Sequence, residues 1–525
     1  MRITLYLLTE DAELSVDSLS NSGSYTEVPL QKRDDINWKL FIKAGEAKAA
    51  KWTENVAPIV TNKQDLSKLK TQSSSGILLA EVSDEIFAIT FGHGYHAVEG
   101  KLIVSGFGLR VAANIISADG VVSADTKGFN RGSRSQKTVL PAASQMEDLG
   151  IETSDEWVRQ LSGRIEGDNF ATTASGADSL RLSIKDFSMD NLPEKLDRIL
   201  EIHESQDYKE NFQFLDNFIR LDKKEPVVEE LDKIVDHMLQ SRDTTLSFAA
   251  PDPFEQKDVH EFKLTCRRSV KINDLTVDEV YGCLDRFSVN QELATKVSVE
   301  ALNEDSNPVD RRFKLRDYIQ AEIDFEGNRY ALTSGAWFRI NRDYLQEIND
   351  YIRGIDDISG TLGMLKWNKD ELDADEQDKT AEGSYNKLVA KAYGYENLDK
   401  DDLHFRQYEK IEICDLLTKD RQLICVKSAS KSSTLSHLFA QGRVSATLMH
   451  EPKYKKKLMG KLVKLRSGAN YGNPGDWTFV YAIAIDKVAP LHKSLFFFSK
   501  VNLFSTARDI RSRGFKVALC KIDLA

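Results

Sequence analysis

From Ala381 onward the apolar period changes in a set order, and that order restricts the fold more than any other feature of the chain. Ala381-Glu-Gly-Ser-Tyr-Asn-Lys-Leu-Val-Ala reads as a helix carrying Glu382. Lys410-Ile-Glu-Ile-Cys-Asp-Leu-Leu alternates, so Ile411, Ile413 and Asp415 share one face of a strand. A polar turn, Thr418-Lys-Asp-Arg-Gln, leads to a second strand, Leu423-Ile-Cys-Val-Lys427. Its Leu423, Cys425 and Lys427 lie on one face. A helix from Thr434 holds Leu435, Leu438 and Phe439, with Gln441 near its C-terminal half. Thr478-Phe-Val-Tyr-Ala-Ile-Ala-Ile is a later strand, and a helix–strand pair runs from Thr506 to Leu519. Helices and strands in this order require a sheet with helices packed on it.

The chain has 525 residues, enough for two to four domains at roughly 150 residues each. Apolar residues make up 41% and charged residues 29%, which excludes a fibrous or largely disordered chain. No apolar run reaches the roughly 18 residues of a membrane helix. The start, MRITLYLL, lacks the parts of a signal peptide, and Ile3, Leu5 and Leu7 alternate as in a first strand. We expect a cytoplasmic protein without stable membrane insertion. The five cysteines are Cys266, Cys283, Cys414, Cys425 and Cys520, with no CxxC pair. They are expected to be buried, reduced thiols.

The pattern predicts an α+β multidomain protein. Residues 1–190 form a β-rich N-terminal domain and 191–366 a helical and α+β middle domain. Residues 367–381 are an acidic linker, and 382–525 a basic α/β domain. Gly76-Ile-Leu-Leu-Ala-Glu-Val and Glu85-Ile-Phe-Ala-Ile-Thr-Phe flank Ser83-Asp84 at hairpin spacing. Lys101-Leu-Ile-Val continues the strand pattern, and Gly106-Phe-Gly-Leu-Arg-Val-Ala-Ala-Asn opens a helix. Residues 125–137 are polar and Gly/Ser-rich, predicting a solvated loop. Its Lys127, Arg131, Arg134 and Lys137 also suit phosphate contact. Residues 191–240 read as helical, and Thr276-Val-Asp-Glu279 as a capping box opening a helix through Tyr281 and Leu284. Residues 319–340 read as a hairpin turning at Glu326-Gly-Asn, after which Asn341 caps a helix bearing Leu345, Ile348 and Ile352.

Charge is divided unevenly. Residues 421–525 carry +14, whereas residues 1–420 carry −25. Lys453, Lys455, Lys456, Lys457, Lys461, Lys464 and Arg466 occur with no acid among them, while Leu458, Leu462 and Leu465 give the segment an apolar face. Such a helix can lie along a nucleic-acid backbone and gain from counterion release. It can also rest on an anionic membrane or form a solvated face. Trp477, Arg508, Arg511, Arg513 and Lys516 add to the basic region and favour nucleic acid.

The C-terminal order, with a carboxylate ending one strand and a lysine ending the next, resembles the PD-(D/E)XK nuclease core. That resemblance implies Mg²⁺ or Mn²⁺ held by Asp415 and Glu382, Lys427 as phosphate or water partner, and Gln441 as the helix glutamine. The family motif has Asp or Glu two positions before the lysine, where this chain has Cys425, a poor ligand for a hard cation. Glu412 alternates to the other face of its strand. Taken singly, a lysine ending a strand is a solvated terminus, and an Asp before a turn is turn chemistry. His437 and Gln441 share a helix face, and Ser432 or Ser433 would cap that helix.

Across most of its length the chain is also similar to a sporadically distributed family of bacterial proteins from defence and mobile-element neighbourhoods. The carrying segments are Ala88-Ile-Thr-Phe-Gly, Phe107-Gly-Leu-Arg-Val-Ala-Ala-Asn, Glu382-Gly-Ser-Tyr-Asn, Glu412-Ile-Cys-Asp-Leu-Leu, Cys425-Val-Lys and Leu435-Ser-His-Leu-Phe-Ala-Gln-Gly. The resemblance implies a part in phage or plasmid conflict and assigns no activity. The expectation is a metal-dependent nuclease acting on DNA or RNA, alone or with a partner defence protein. The alternatives are an inactive nucleic-acid sensor and a scaffold docking an acidic protein.

Overall fold

A computed structural model describes residues 2–50, 52–61, 66, 68–128, 134–139, 156–165, 170–248, 259–287, 291–309, 312–368, 372, 381–398, 413–428, 432–465, 471–485 and 489–525. The chain is a mixed α/β multidomain protein with several antiparallel sheets. Among the described residues no helix is long and apolar enough to cross a membrane. Four cysteines are buried, Cys266 is half-buried, and all five are free thiols.

Ten strands between residues 2 and 184 form the N-terminal sheet. The first strand, Arg2–Leu7, lies inside it between Glu85–Gly92 and Leu180–Ile184, which buries Ile3, Leu5 and Leu7. Strands Ser74–Val82 and Glu85–Gly92 pair as expected. Ser83 and Asp84 take φ of 53° and 64°, the left-handed pair that a two-residue hairpin needs. Helix Phe107–Ile115 covers the sheet. Its backbone comes so close that a Cβ on Gly176 would meet Gly108 O at 1.8 Å.

Two expectations fail in this region. Lys101-Leu-Ile-Val is not a strand: Gly100–Leu102 is a 3-10 turn, and only Ile103 bridges, to Leu8. The run is confined between Gly100 and the left-handed Gly106, where the helix begins. Residues 125–137 are not one loop. Val121–Gly128 and Arg134–Val139 form a paired hairpin, while 129–133, with Arg131, lie outside the described residues. Backbone pairing overrides polar composition there, and Lys127 is buried because another part of the chain covers it.

The middle part holds a five-stranded and a four-stranded sheet. Ile319–Phe325 and Asn328–Thr333 pair about Glu326-Gly327, both left-handed. Asn341 accepts from the amides of Asp343 and Tyr344 and starts helix Arg342–Arg353, a cap worth about 1 kcal/mol. That helix buries Tyr344, Ile348 and Ile352, each contributing roughly 1.5–3 kcal/mol. Thr276 accepts from Glu279 N, but Glu279 Oε2 accepts from the amides of Asn273 and Asp274, so the reciprocal half of the box is displaced. Residues 191–240 are not helical throughout. Phe218–Arg220 is a strand because Ala336–Ile340 supplies a partner.

The C-terminal sheet has the spatial order Asp356–Asp357, Lys516–Ile522, Thr478–Ala484, Gln422–Ser428, Leu416–Leu417, Glu396–Asn397. The first three contacts are parallel and the last two antiparallel. Helix Ala381–Tyr393 packs Tyr385 and Val389 on one face with Ile424 and Val426. Helices Ser432–Leu448, Pro452–Lys464 and Phe497–Ser512 cover the other with Leu423, Cys425 and Tyr481. The last helix starts at Phe497, well before Thr506. Its first amides, Phe497 N and Phe498 N, donate to Glu322 of the middle sheet at 2.6 and 3.0 Å, a distant cap that local sequence cannot announce. Trp367 and Leu372, from the acidic stretch, are buried beside Tyr385, whereas 369–371 and 373–380 lie outside the described residues.

Candidate functional site

Asp415 stands at the junction of two antiparallel pairings. Its amide donates to Ile424 O at 2.9 Å and its carbonyl accepts from Leu398 N at 2.8 Å. Its side chain is buried, and Oδ2 accepts from Val426 N at 2.6 Å. The carboxylate is thereby fixed against the strand that ends in Lys427. Oδ1 faces helix Ser432–Leu448, where Gln441 Nε2 donates to it at 3.5 Å, a long bond.

Close packing sets that helix in place. Gly442, next to Gln441, lies so near the sheet that a Cβ there would meet Tyr481 Oη at 2.3 Å. Tyr481 Oη donates to Phe439 O at 3.3 Å, and Ser445 Oγ donates to Ile413 O at 2.5 Å. The helix is therefore tied to the sheet on both sides of Gln441.

Lys427 leaves the end of its strand, and its Nζ donates to Glu382 Oε2 at 2.6 Å. Glu382 is the second residue of helix Ala381–Tyr393, where the helix dipole favours a carboxylate. Both side chains remain about a third exposed, at 28% and 31%. The four residues singled out in the sequence, Glu382, Asp415, Lys427 and Gln441, thus belong to one linked region of the sheet.

Cys425 is 1% exposed within the core cluster shared with Phe439 and Tyr481. It faces the helical layer and contributes no oxygen ligand. Glu412 lies outside the described residues. The candidate oxygen ligands are the carboxylates of Asp415, bonded to Val426 N and Gln441, and of Glu382, bonded to Lys427 Nζ; one or two carboxylates plus substrate oxygens are the usual ligands of Mg²⁺. Among the described residues no cluster of three or more His, Cys, Asp or Glu has the form of a protein-only metal cage. His437 is exposed on its helix, and the side chains of Ser432 and Ser433 lie outside what is described.

Helix Pro452–Lys464 buries Tyr454, Leu458 and Leu462, so its lysines are turned outward. They are not equally available. Lys461 Nζ donates to Glu396 Oε1 at 3.0 Å, and Lys464 approaches the same oxygen at 3.7 Å. Lys455 lies over the Tyr471 ring at 5.1 Å, Lys457 is half-buried, and Lys456 is exposed. Arg466 lies outside the described residues. Trp477 does not join the basic surface. It is fully buried and donates from Nε1 to Tyr471 O, because its ring fills the core between helix and sheet.

These features define a multidomain mixed α/β protein whose C-terminal sheet carries a carboxylate, lysine and glutamine cluster. The chain belongs to a family of unknown function, DUF6119, whose model matches residues 3–523. No curated protein matches it.

Proposed function

We propose that the chain is a metal-dependent nuclease of PD-(D/E)XK type, cutting DNA or RNA in bacterial antiphage or mobile-element defence. The observation that carries this reading is the linked arrangement of Glu382, Asp415, Lys427 and Gln441 on a sheet with antiparallel and parallel neighbours. In this reading Lys427 holds the phosphate charge that develops as water attacks. Val426 N and Gln441 orient Asp415, and Glu382 keeps Lys427 at the mouth of the site. A Mg²⁺ or Mn²⁺ ion held by Asp415 and Glu382 would polarise the phosphate and lower the pKa of water. Lys455, Lys456, Lys457, Lys461, Lys464 and Arg466 would attract the nucleic-acid backbone.

A second reading is a nucleic-acid sensor that does not cut. Cys425 in the apolar core favours it, because the motif's second strand carboxylate has no replacement there. The test is cleavage of plasmid, single-stranded DNA and RNA with Mg²⁺ or Mn²⁺, comparing wild type with Lys427→Ala and recording binding on the same samples. Cleavage lost in the variant supports the nuclease. Salt-dependent binding with no cleavage by either protein supports the sensor. Absence of both leaves a trigger-dependent enzyme or the protein-docking scaffold.

A further inference from the structure

Far from the C-terminal cluster in sequence, the N-terminal sheet and the two middle sheets line an open cavity of about 580 Å³, a size typical of small-molecule sites. Five of its lining residues are cations: Lys127, Arg159, Arg220, Arg312 and Lys314. Among the described lining residues Asp317 is the one carboxylate. Three half-buried or buried rings, Trp157, Phe313 and Phe338, line it as well.

Lys127, Arg159, Arg220 and Lys314 belong to paired strands. Lys127 and Trp157 are cross-strand partners, so their side chains leave the same face. The register slips between Val158 and Gln160, leaving Arg159 at a bulge, a common device for re-aiming a side chain. Arg220 and Phe338 are likewise cross-strand partners. The Trp157 and Phe338 rings meet edge to face at 4.8 Å, and Arg220 lies over the Trp157 ring at 5.9 Å.

Lys127 is only 4% exposed, and its Nζ donates to Ser334 Oγ. Ser334 sits at φ 49° in the two-residue turn between Asn328–Thr333 and Ala336–Ile340.

Arg159, Arg220 and Arg312 each meet a carboxylate beside the cavity. Glu300 takes both Arg312, at 3.0 Å, and Lys263, at 3.5 Å, which together hold its carboxyl below the usual range. Arg220 reaches Asp178 only at 3.4 Å, while Arg159 pairs with Asp125 at 2.9 Å. Asp317 Oδ2 accepts from Lys314 N. Like charges held together in a partly enclosed cavity repel, and a polyanion relieves that cost.

We infer that this cavity binds a nucleoside polyphosphate, with its phosphates among Lys127, Arg312 and Lys314 and its base against Trp157 and Phe313. The rings separate this ligand from a bare anion, since a base presents a π-face to an aromatic or guanidinium group. A second cavity of about 430 Å³ shares Trp157, Arg159 and Arg220, giving the ligand room to extend. The site is independent of the nuclease reading.

The test is calorimetric titration of the full chain at physiological salt with ATP, GTP, CTP and UTP, and with tripolyphosphate and adenosine as separate arms. At least one nucleotide should bind more tightly than tripolyphosphate. Arg312→Ala and Lys314→Ala should each weaken it about tenfold or more, with the melting temperature retained. The inference is overturned if no nucleotide binds, if tripolyphosphate binds equally well, or if both cavity variants bind like wild type.

Discussion

The ammonium of Lys427 and the carboxylate of Glu382 meet at 2.6 Å, joining a strand end to a helix that lies 45 residues earlier in sequence. The pair is partly exposed, so it contributes only about 0–1 kcal/mol to stability. Lys427→Ala is therefore expected to melt within a few degrees of wild type. On the nuclease reading its metal-dependent cleavage should fall by about 10²-fold or more. Cleavage equal to wild type would remove Lys427 from the site.

Asp415→Asn keeps the shape of the side chain and its contact with Val426 N, but loses the charge. It should fold, bind nucleic acid as wild type does, and fail to cleave. Titrating Mn²⁺ against both proteins should show weaker Mn²⁺ binding by the variant, read from Mn²⁺ relaxation.

Gly442→Ala places a Cβ at 2.3 Å from Tyr481 Oη, and Tyr481 is buried within the sheet. The helix must shift, costing about 1–3 kcal/mol in urea denaturation. Tyr481→Phe removes the obstructing oxygen and its bond to Phe439 O, at about 1 kcal/mol. The double variant should be more stable than the sum of the two changes predicts. Strict additivity would show that the contact does not govern the helix position.

Lys456 and Lys461 differ in what already holds them. Lys461 is engaged by Glu396, while Lys456 is exposed. On the nucleic-acid reading, Lys456→Ala should reduce the slope of log affinity against log salt by about 0.7–0.9. Lys461→Ala should reduce it less, and should also release Glu396 into the basic face. Equal slopes for both variants would contradict this ranking.

His203 is largely buried against Phe107, with ring centroids 5.1 Å apart, and Nδ1 has no hydrogen-bond partner. Burial, aided by Arg110, pushes its pKa down to about 4. The unfolded chain takes up this proton near the ordinary value of about 6.5, whereas the folded chain resists until about 4. The stabilisation is thus full above pH 6.5 and is lost as pH falls toward 4, on the order of 2 kcal/mol. His203→Leu should flatten that part of the melting profile. An unchanged profile would place the pH sensitivity elsewhere.

The residues of the candidate C-terminal site were legible because they follow local periods. Asp415 precedes a turn, Lys427 ends an alternating run, and Gln441 falls one position before the glycine that permits helix contact. Of the cavity cations only Lys127 was legible for phosphate contact, and as part of a solvated loop; the others were illegible for the opposite reason. Lys127 sits in a polar, glycine-rich stretch, and only long-range coverage makes it a buried strand residue. The start of the last helix was missed likewise, since its cap, Glu322, is about 175 residues away. Local signals reveal a turn or an alternation, whereas a partner from another sheet leaves none.

That cap has a consequence for proteolysis. Glu322 grips the final helix, and Phe218, Phe338 and Tyr344 share one core with Phe497 and Phe504. Asp356–Asp357 also pairs with Lys516–Ile522. A protease cutting near residue 375 would sever the backbone without releasing a fragment. The two pieces should co-elute under native conditions and separate only in denaturant.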